Sequence, residues 1–270
     1  MGVVNLTPDS FSDGGLFLDS ALAIDHAYRL IDEGADVLDV GAESSRPGAK
    51  MVPAGEEIAR LVPILRALRD AAVPISVDTV KPEVMRAAIT EGASLINDIY
   101  ALRNDGALSA VADSAVGVCL MHMRGEPATM QDSPEYGDVI GEVSKFLSER
   151  VWAAEEAGVA RERICVDPGF GFGKTVEHNL KLLQSLKQFE LIGLPVLFGA
   201  SRKSTLGSVT GRAVDERVHA SVATALLAAQ NGASILRVHD VAPTKDAIAM
   251  WLAMQGKSNP TTQQLLGKPQ

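Results

Sequence analysis

Asp78, Asn97 and Asp167 each stand at or next to the end of a short apolar run, in ISVD, LIND and ICVD. Carboxylates and a carboxamide in such places suit a flat heterocycle with several N–H donors. An aspartate facing an amidine-like edge makes paired, charge-assisted bonds, each worth about 1.5–3 kcal/mol. The cations gather elsewhere, at Lys203 in ASRKS and at Arg237 and His239 in RVHD. Ser204 stands where a helix should begin, so its hydroxyl and the free amides there can hold an anion. Together these groups call for a ligand that is heterocyclic at one end and anionic at the other.

Other chemistries find less support. No His, Cys and Asp cluster has zinc spacing, and no GxSxG elbow is present. DPGFGFGKT, residues 167–175, looks like a phosphate loop but fails both glycine patterns, since Pro168 replaces one required glycine and Lys174 the other. Its glycines instead bring backbone close to a ligand, with Phe172 as a flat wall. His26, His178 and His219 fall in helical segments as surface or packing residues. His122, at the end of GVCLM, reads equally as a packing or a catalytic group.

The elements that would position these residues alternate along the chain. Short β-branched runs occur at 2–5, 37–40, 75–78, 95–98, 117–121, 164–167, 196–199 and 235–238. Helical spacing lies between them. In SALAIDHAYRLIDEG, for example, Ile24, Ala27, Tyr28 and Ile31 share one face before Gly34 stops the helix. Runs apolar on both faces suit a parallel sheet covered twice. Eight strand–helix units in this length predict a single closed (β/α)₈ TIM barrel over residues 1–256, with a tail at 257–270. An open doubly wound sheet would normally carry a glycine fingerprint after strand one, and TPDSFSDGG is not one. In such a barrel the strand C-termini form the active-site rim, and all eight runs lead into polar groups there, beginning with Asn5.

Bulk properties agree. A chain of 270 residues can bury roughly three quarters of its unfolded surface. Its net charge of −9 argues against nucleic acid or an anionic membrane as the main partner. No apolar run approaches the ~18 residues of a membrane span. Cys119 and Cys165 sit in apolar runs and read as buried, reduced thiols of a cytoplasmic protein.

NLTPDSFSDGG, DVGAESSRPGA, ISVDT, INDI, LMHMRGEPATMQ, DPGFGFGK, ASRKS and RVHDV follow one another on successive strand ends. In this order they resemble the dihydropteroate synthases, the folate-pathway enzymes that sulfonamides inhibit. The resemblance implies a barrel enzyme, usually a homodimer, that joins 6-hydroxymethyl-7,8-dihydropterin pyrophosphate to p-aminobenzoate and releases pyrophosphate with Mg²⁺. It places the pterin edge on Asp78, Asn97 and Asp167 with Lys203 opposite, and counts Met121 and Gly199 among the substrate-binding residues. It gives the pyrophosphate to Asn5, Arg237 and His239, Asn5 also through Mg²⁺. Ser204 would take the p-aminobenzoate carboxylate, and Phe172, Phe11, Ser45, Arg46 and Pro47 would wall that second pocket. The catalytic burden would fall on Asp78, Asp167, Lys203 and Arg237.

By the same resemblance, pyrophosphate leaves first and the arylamine attacks a pterin methyl cation. TPDSFSDGG then becomes a loop that swings over the site, which gives the exposed Phe11 a place to go. Ser45 stands where the family commonly has threonine, keeping the hydroxyl and losing a methyl. Family members usually carry a further segment before strand one, so the barrel bottom is expected to be less covered here. Two other readings share the pterin cradle, namely a methyltetrahydrofolate-dependent methyltransferase and a catalytically silent pterin-binding protein. The first has no use for ASRKS with RVHDV, and the second has none for so complete a rim.

Overall fold

The computed structural model describes residues 1–6, 15–44, 51–127 and 129–256, with side chains in the first helix from Ser20 onward. Six strands pair in parallel in chain order: β1 (Gly2–Asn5), β2 (Leu38–Gly41), β3 (Ile75–Asp78), β4 (Leu95–Asp98), β5 (Gly117–Met121) and β6 (Ile164–Asp167). The short strands β7 (Leu197–Phe198) and β8 (Ile235–Leu236) pair with each other. Parallel bridges from Val166 to Val196 and from Gly2 to Val238 close the ring. Closure leaves no sheet edge, which removes the usual route to strand-to-strand aggregation.

Around the ring run α1 (Gly15–Asp32), α2 (Ala54–Ala67), α3 (Pro82–Thr90), α4 (Ala107–Ala112), α5 (Val139–Glu156) and α6 (Val176–Gln184). The circuit is completed by α7 (Ser204–Thr210), α8 (Val218–Gln230) and α9 (Val241–Met254). The strand runs read from sequence match these strands to within two residues at each end. The last two strands are shorter than their apolar runs, because Val196 and Val238 pair through single bridges to β6 and β1 and lie outside the β7–β8 ladder.

The core lies between ring and helices, where Val4, Val40, Val77, Ile96, Val118 and Val166 turn outward and are fully shielded. The face of α1 differs from its expected stripe. Ala23, Ala27 and Leu30 are buried, while Tyr28 is largely exposed and donates to the carbonyl of Ala67 in α2. Two alanines let α1 approach the barrel closely, and the bulky tyrosine is turned out against its neighbour helix instead. Gly34 ends the helix with φ near 92°, as expected. Cys119 and Cys165 are free, buried and opposite each other on β5 and β6. No helix among the described residues is long and apolar enough to cross a membrane.

Candidate active site

Register brings the acidic cradle together. Asn5, Gly41, Asp78 and Asn97 are successive partners across β1 to β4, so their side chains belong to one level of the rim. Gly41 leaves room there, since a Cβ on it would lie 3.3 Å from that of Asp78. One level deeper, Asp39 pairs with Ser76. Arg237, just past β8, forks across both levels: Nε donates to Asp39 at 2.6 Å and Nη2 to Asp78 at 2.9 Å. Burial works against the guanidinium charge, but the two carboxylates more than offset it and raise its pKa. Asp78 pays for the same burial. Desolvation pushes its carboxyl up to about 7, with Arg237 opposing and Asp39 adding to the rise.

Asp167 closes the cradle from β6. Its Oδ1 accepts from the Gly169 amide at 2.7 Å, and burial raises its carboxyl while Lys203 pulls the other way. Lys203 lies 4.5 Å from the Phe172 ring centroid and donates to the carbonyl of Phe170. Burial brings its ammonium down to about 8, against the pull of Asp167. Met121 is buried with Phe172, Val80 and Ile99 as an apolar floor, and Gly199 is buried beside Arg237. Asp98 belongs elsewhere: its carboxylate accepts from the Tyr100 and Leu102 amides and shapes the loop after β4.

The 167–174 loop is held from every side. A Cβ on Gly169, at φ 70°, would land on the His122 carbonyl oxygen, and one on Gly173 would land on that of Arg124. Only glycine permits both the positive φ and the close approach. Lys174, 2% exposed, spends its ammonium on His122 Nδ1 at 3.0 Å and on the carbonyls of Gly169 and Phe172 at 2.8 and 3.0 Å. Burial keeps Lys174 well below the usual lysine range, and burial with Lys174 nearby takes His122 down to about 2. His122, packed edge-on to Phe146, is thus a neutral acceptor that supports the loop.

The anion side forms after β7. Arg202 has φ 60°, a costly conformation for a non-glycine residue. It is fixed by Asp240, which takes its fork at 3.1 and 2.5 Å, by Ser221 on its amide and by Arg217 on its carbonyl. This turn delivers Lys203 inward and starts α7 at Ser204, which is exposed on the first turn with no side-chain cap to occupy its amides. Asn179 joins the two sides, accepting from the Gly171 amide and donating to Thr205. His239 contacts Ser201 Oγ at 3.0 Å. Burial, then Arg237, lowers it to about 4, so it is a neutral donor or acceptor. The expectation of a third cation here is corrected: a guanidinium beside a buried imidazole suppresses its charge.

The structure therefore brings Asp78, Asn97, Asp167, Lys203, Arg237, Met121, Gly199 and Phe172 together, with Asn5 at the same level. His239 and Ser204 flank them on the β7–β8 side. Phe11, Ser45, Arg46 and Pro47 lie outside the described residues. Sequence reasoning gave neither Asp39 nor Lys174 a role in the site. The available signals were a charge in the middle of a buried strand and a lysine closing a glycine-rich loop. Among the described residues no three His, Cys, Asp or Glu side chains are arranged to hold a metal ion. Asn5, half-buried at the rim, offers a single carboxamide oxygen. That fits a hard ion such as Mg²⁺, which keeps most of its shell for water and substrate oxygens.

A parallel barrel with a carboxylate–carboxamide cradle on one side and cations by an anion turn on the other defines a class. The family profile of pterin binding enzymes matches residues 1–239, and the chain belongs to that family. Its relatives include the dihydropteroate synthase of Escherichia coli strain K12, 48% identical over 249 residues that cover 92% of this chain and 88% of that one. The dihydropteroate synthase of Xanthomonas albilineans, solved with 4-aminobenzoic acid, is 54% identical, with a TM-score of 0.90 over 94% of this chain and 92% of that one. The Yersinia pestis dihydropteroate synthase, solved with a sulfonamide drug complex, is 44% identical, with a TM-score of 0.91 over 95% and 94%.

Proposed function

We infer that this chain catalyses the dihydropteroate synthase reaction of folate biosynthesis. It condenses 6-hydroxymethyl-7,8-dihydropterin pyrophosphate with p-aminobenzoate to give 7,8-dihydropteroate and pyrophosphate. The observation that carries this is the convergence of Asp78, Asn97 and Asp167 with Lys203 and Arg237 on one rim. The dihydropteroate synthases of E. coli and X. albilineans, each matched over more than nine tenths of this chain, support it.

Asp78, Asn97 and Asp167 take the N–H edge of the pterin, and Lys203 holds its other side above the buried floor of Met121 and Phe172. Arg237 and neutral His239 face the pyrophosphate. Asn5 would hold Mg²⁺, which neutralises charge on the leaving group. Among the described residues the rim offers no dedicated nucleophile, and the reading is dissociative: the C–O bond to pyrophosphate breaks first, and the two electrons leave with the phosphate oxygen. The cationic pterin methylene is then stabilised by Asp78 and Asp167, carboxylates already fixed in a low-dielectric site. The arylamine nitrogen supplies the pair for the new C–N bond and afterwards loses a proton. Ser204 holds the p-aminobenzoate carboxylate, and by the family resemblance Phe11, Ser45, Arg46 and Pro47 would serve that substrate and help exclude water, which would trap the cation.

Sulfonamides, which mimic the arylamine acid, are the expected inhibitors. Pairing of two copies is proposed through the neighbouring helices α8 and α9, on which Leu227, Met250 and Met254 are exposed. The buried free thiols support a cytoplasmic setting. The reading is tested by supplying both substrates with Mg²⁺ and following dihydropteroate. Its formation at a rate that saturates in each substrate is expected, and its absence would remove the reading.

A further inference from the structure

Asp39 lies inside β2, one level beneath the rim, and its side chain is fully buried. A charge there is tolerable only if its oxygens are satisfied by well-placed donors. All the recorded donors are such groups: Ser76 Oγ on Oδ1 at 2.6 Å, and Arg237 Nε at 2.6 Å with Asn97 Nδ2 at 3.2 Å on Oδ2. They come from β3, from the turn after β8 and from β4. Two of the three are residues assigned above to the substrate.

The two grips on Arg237 differ in kind. Asp39 is sealed beneath the ring, whereas the Asp78 side chain is 18% exposed at the rim, where the heterocycle would compete for it. Asp78 cannot serve the pterin edge and keep Arg237 Nη2 with the same lone pairs. Asp39 has no such second duty.

We propose that Asp39 is a positioning residue of the condensation, a fixed pivot that keeps Arg237 aimed by Nε while Asp78 exchanges the guanidinium for the pterin. The same carboxylate orients the Asn97 amide. On pterin binding, Nη2 is then released toward the leaving phosphates without the guanidinium losing its place. A pre-aimed cation needs no reorientation as charge develops on the leaving oxygen. Asp39 touches no reacting atom in this scheme. The inference rests on the synthase reading above.

A double-mutant cycle separates this role from simple support of the fold. Asp39→Asn should lower kcat for the pterin pyrophosphate by about thirtyfold or more, with a smaller change in KM. In an Arg237→Ala background the same substitution should cost less than about threefold, because only its longer bond to the Asn97 amide is left to lose. Should Asp39→Asn fail to fold, Ser76→Ala removes one of the three donors and keeps the carboxylate. It should cost about three- to tenfold in kcat, again only when Arg237 is present. Equal losses in both backgrounds, or no loss with Arg237 present, would overturn the pivot. Activity of the unsubstituted chain checks the synthase reading separately: an active chain with equal losses refutes only Asp39, whereas a chain that makes no dihydropteroate refutes both.

Discussion

The Lys203 ammonium stands 4.5 Å from the centre of the Phe172 ring, with Asp167 across the cradle as its main favourable charge. The lysine is thereby held by an aromatic face and a backbone carbonyl from Phe170, and the Asp167 carboxylate favours its charge. Lys203→Ala or Asp167→Asn should lower kcat/KM by well over tenfold, more than ~1.4 kcal/mol in the barrier. Initial rates with the pterin pyrophosphate varied check this, and near-normal values in both variants would contradict the cradle.

The cradle also sets a pH window. Burial pushes Asp78 up to about 7, so below that it takes a proton and loses an acceptor for the pterin edge. Burial brings Lys203 down to about 8, so above that it loses its charge. The profile of kcat/KM, which reports the free enzyme, should rise through the first value and fall through the second. Lys203→Arg should keep the acid limb and move the alkaline limb out of range. A flat profile from about pH 6 to 9 would contradict the two assignments.

The support beneath the loop is testable by stability. Lys174 donates to one ring nitrogen and two carbonyls while 2% exposed. Lys174→Met strands those acceptors and should cost about 2–4 kcal/mol. Calorimetry should then show Tm lowered by roughly 5–15 °C. A negligible shift would mean that the loop holds itself.

What was legible in the sequence follows from what is local. Apolar runs of four or five residues marked β1 and β3 to β6 correctly, because a strand shielded on both faces needs unbroken apolar sequence. The rim residues were found because each stands at or next to a strand end. Asp39 was given no role, since nothing in LDVG says that the aspartate will meet Arg237 from the far end of the chain. Lys174 was read only as a missing glycine, because its acceptors are backbone carbonyls that no pattern of side chains reveals. His239 looked cationic in RVHD, and only the guanidinium beside it and its burial show otherwise.

The stem of the second loop makes a separate prediction. Glu43 accepts from the Val52 amide and from Lys81, both at 2.6 Å, so it ties together the two ends of the stretch that contains Ser45, Arg46 and Pro47. Lys81 also holds the fully buried Glu57, whose second oxygen has no hydrogen-bond partner among the described residues. Lys81→Met should raise KM for p-aminobenzoate by about fivefold or more while leaving pterin binding within about twofold, and Lys81→Arg should restore it. Equal weakening of both substrates would show that the clamp serves the whole barrel.

The most direct test counts both products of one reaction. Pyrophosphate and dihydropteroate are measured together, with and without p-aminobenzoate, from the pterin pyrophosphate and Mg²⁺. Equimolar products with p-aminobenzoate, and only slow pyrophosphate release without it, are predicted. Pyrophosphate release that ignores p-aminobenzoate and yields no dihydropteroate would contradict the account.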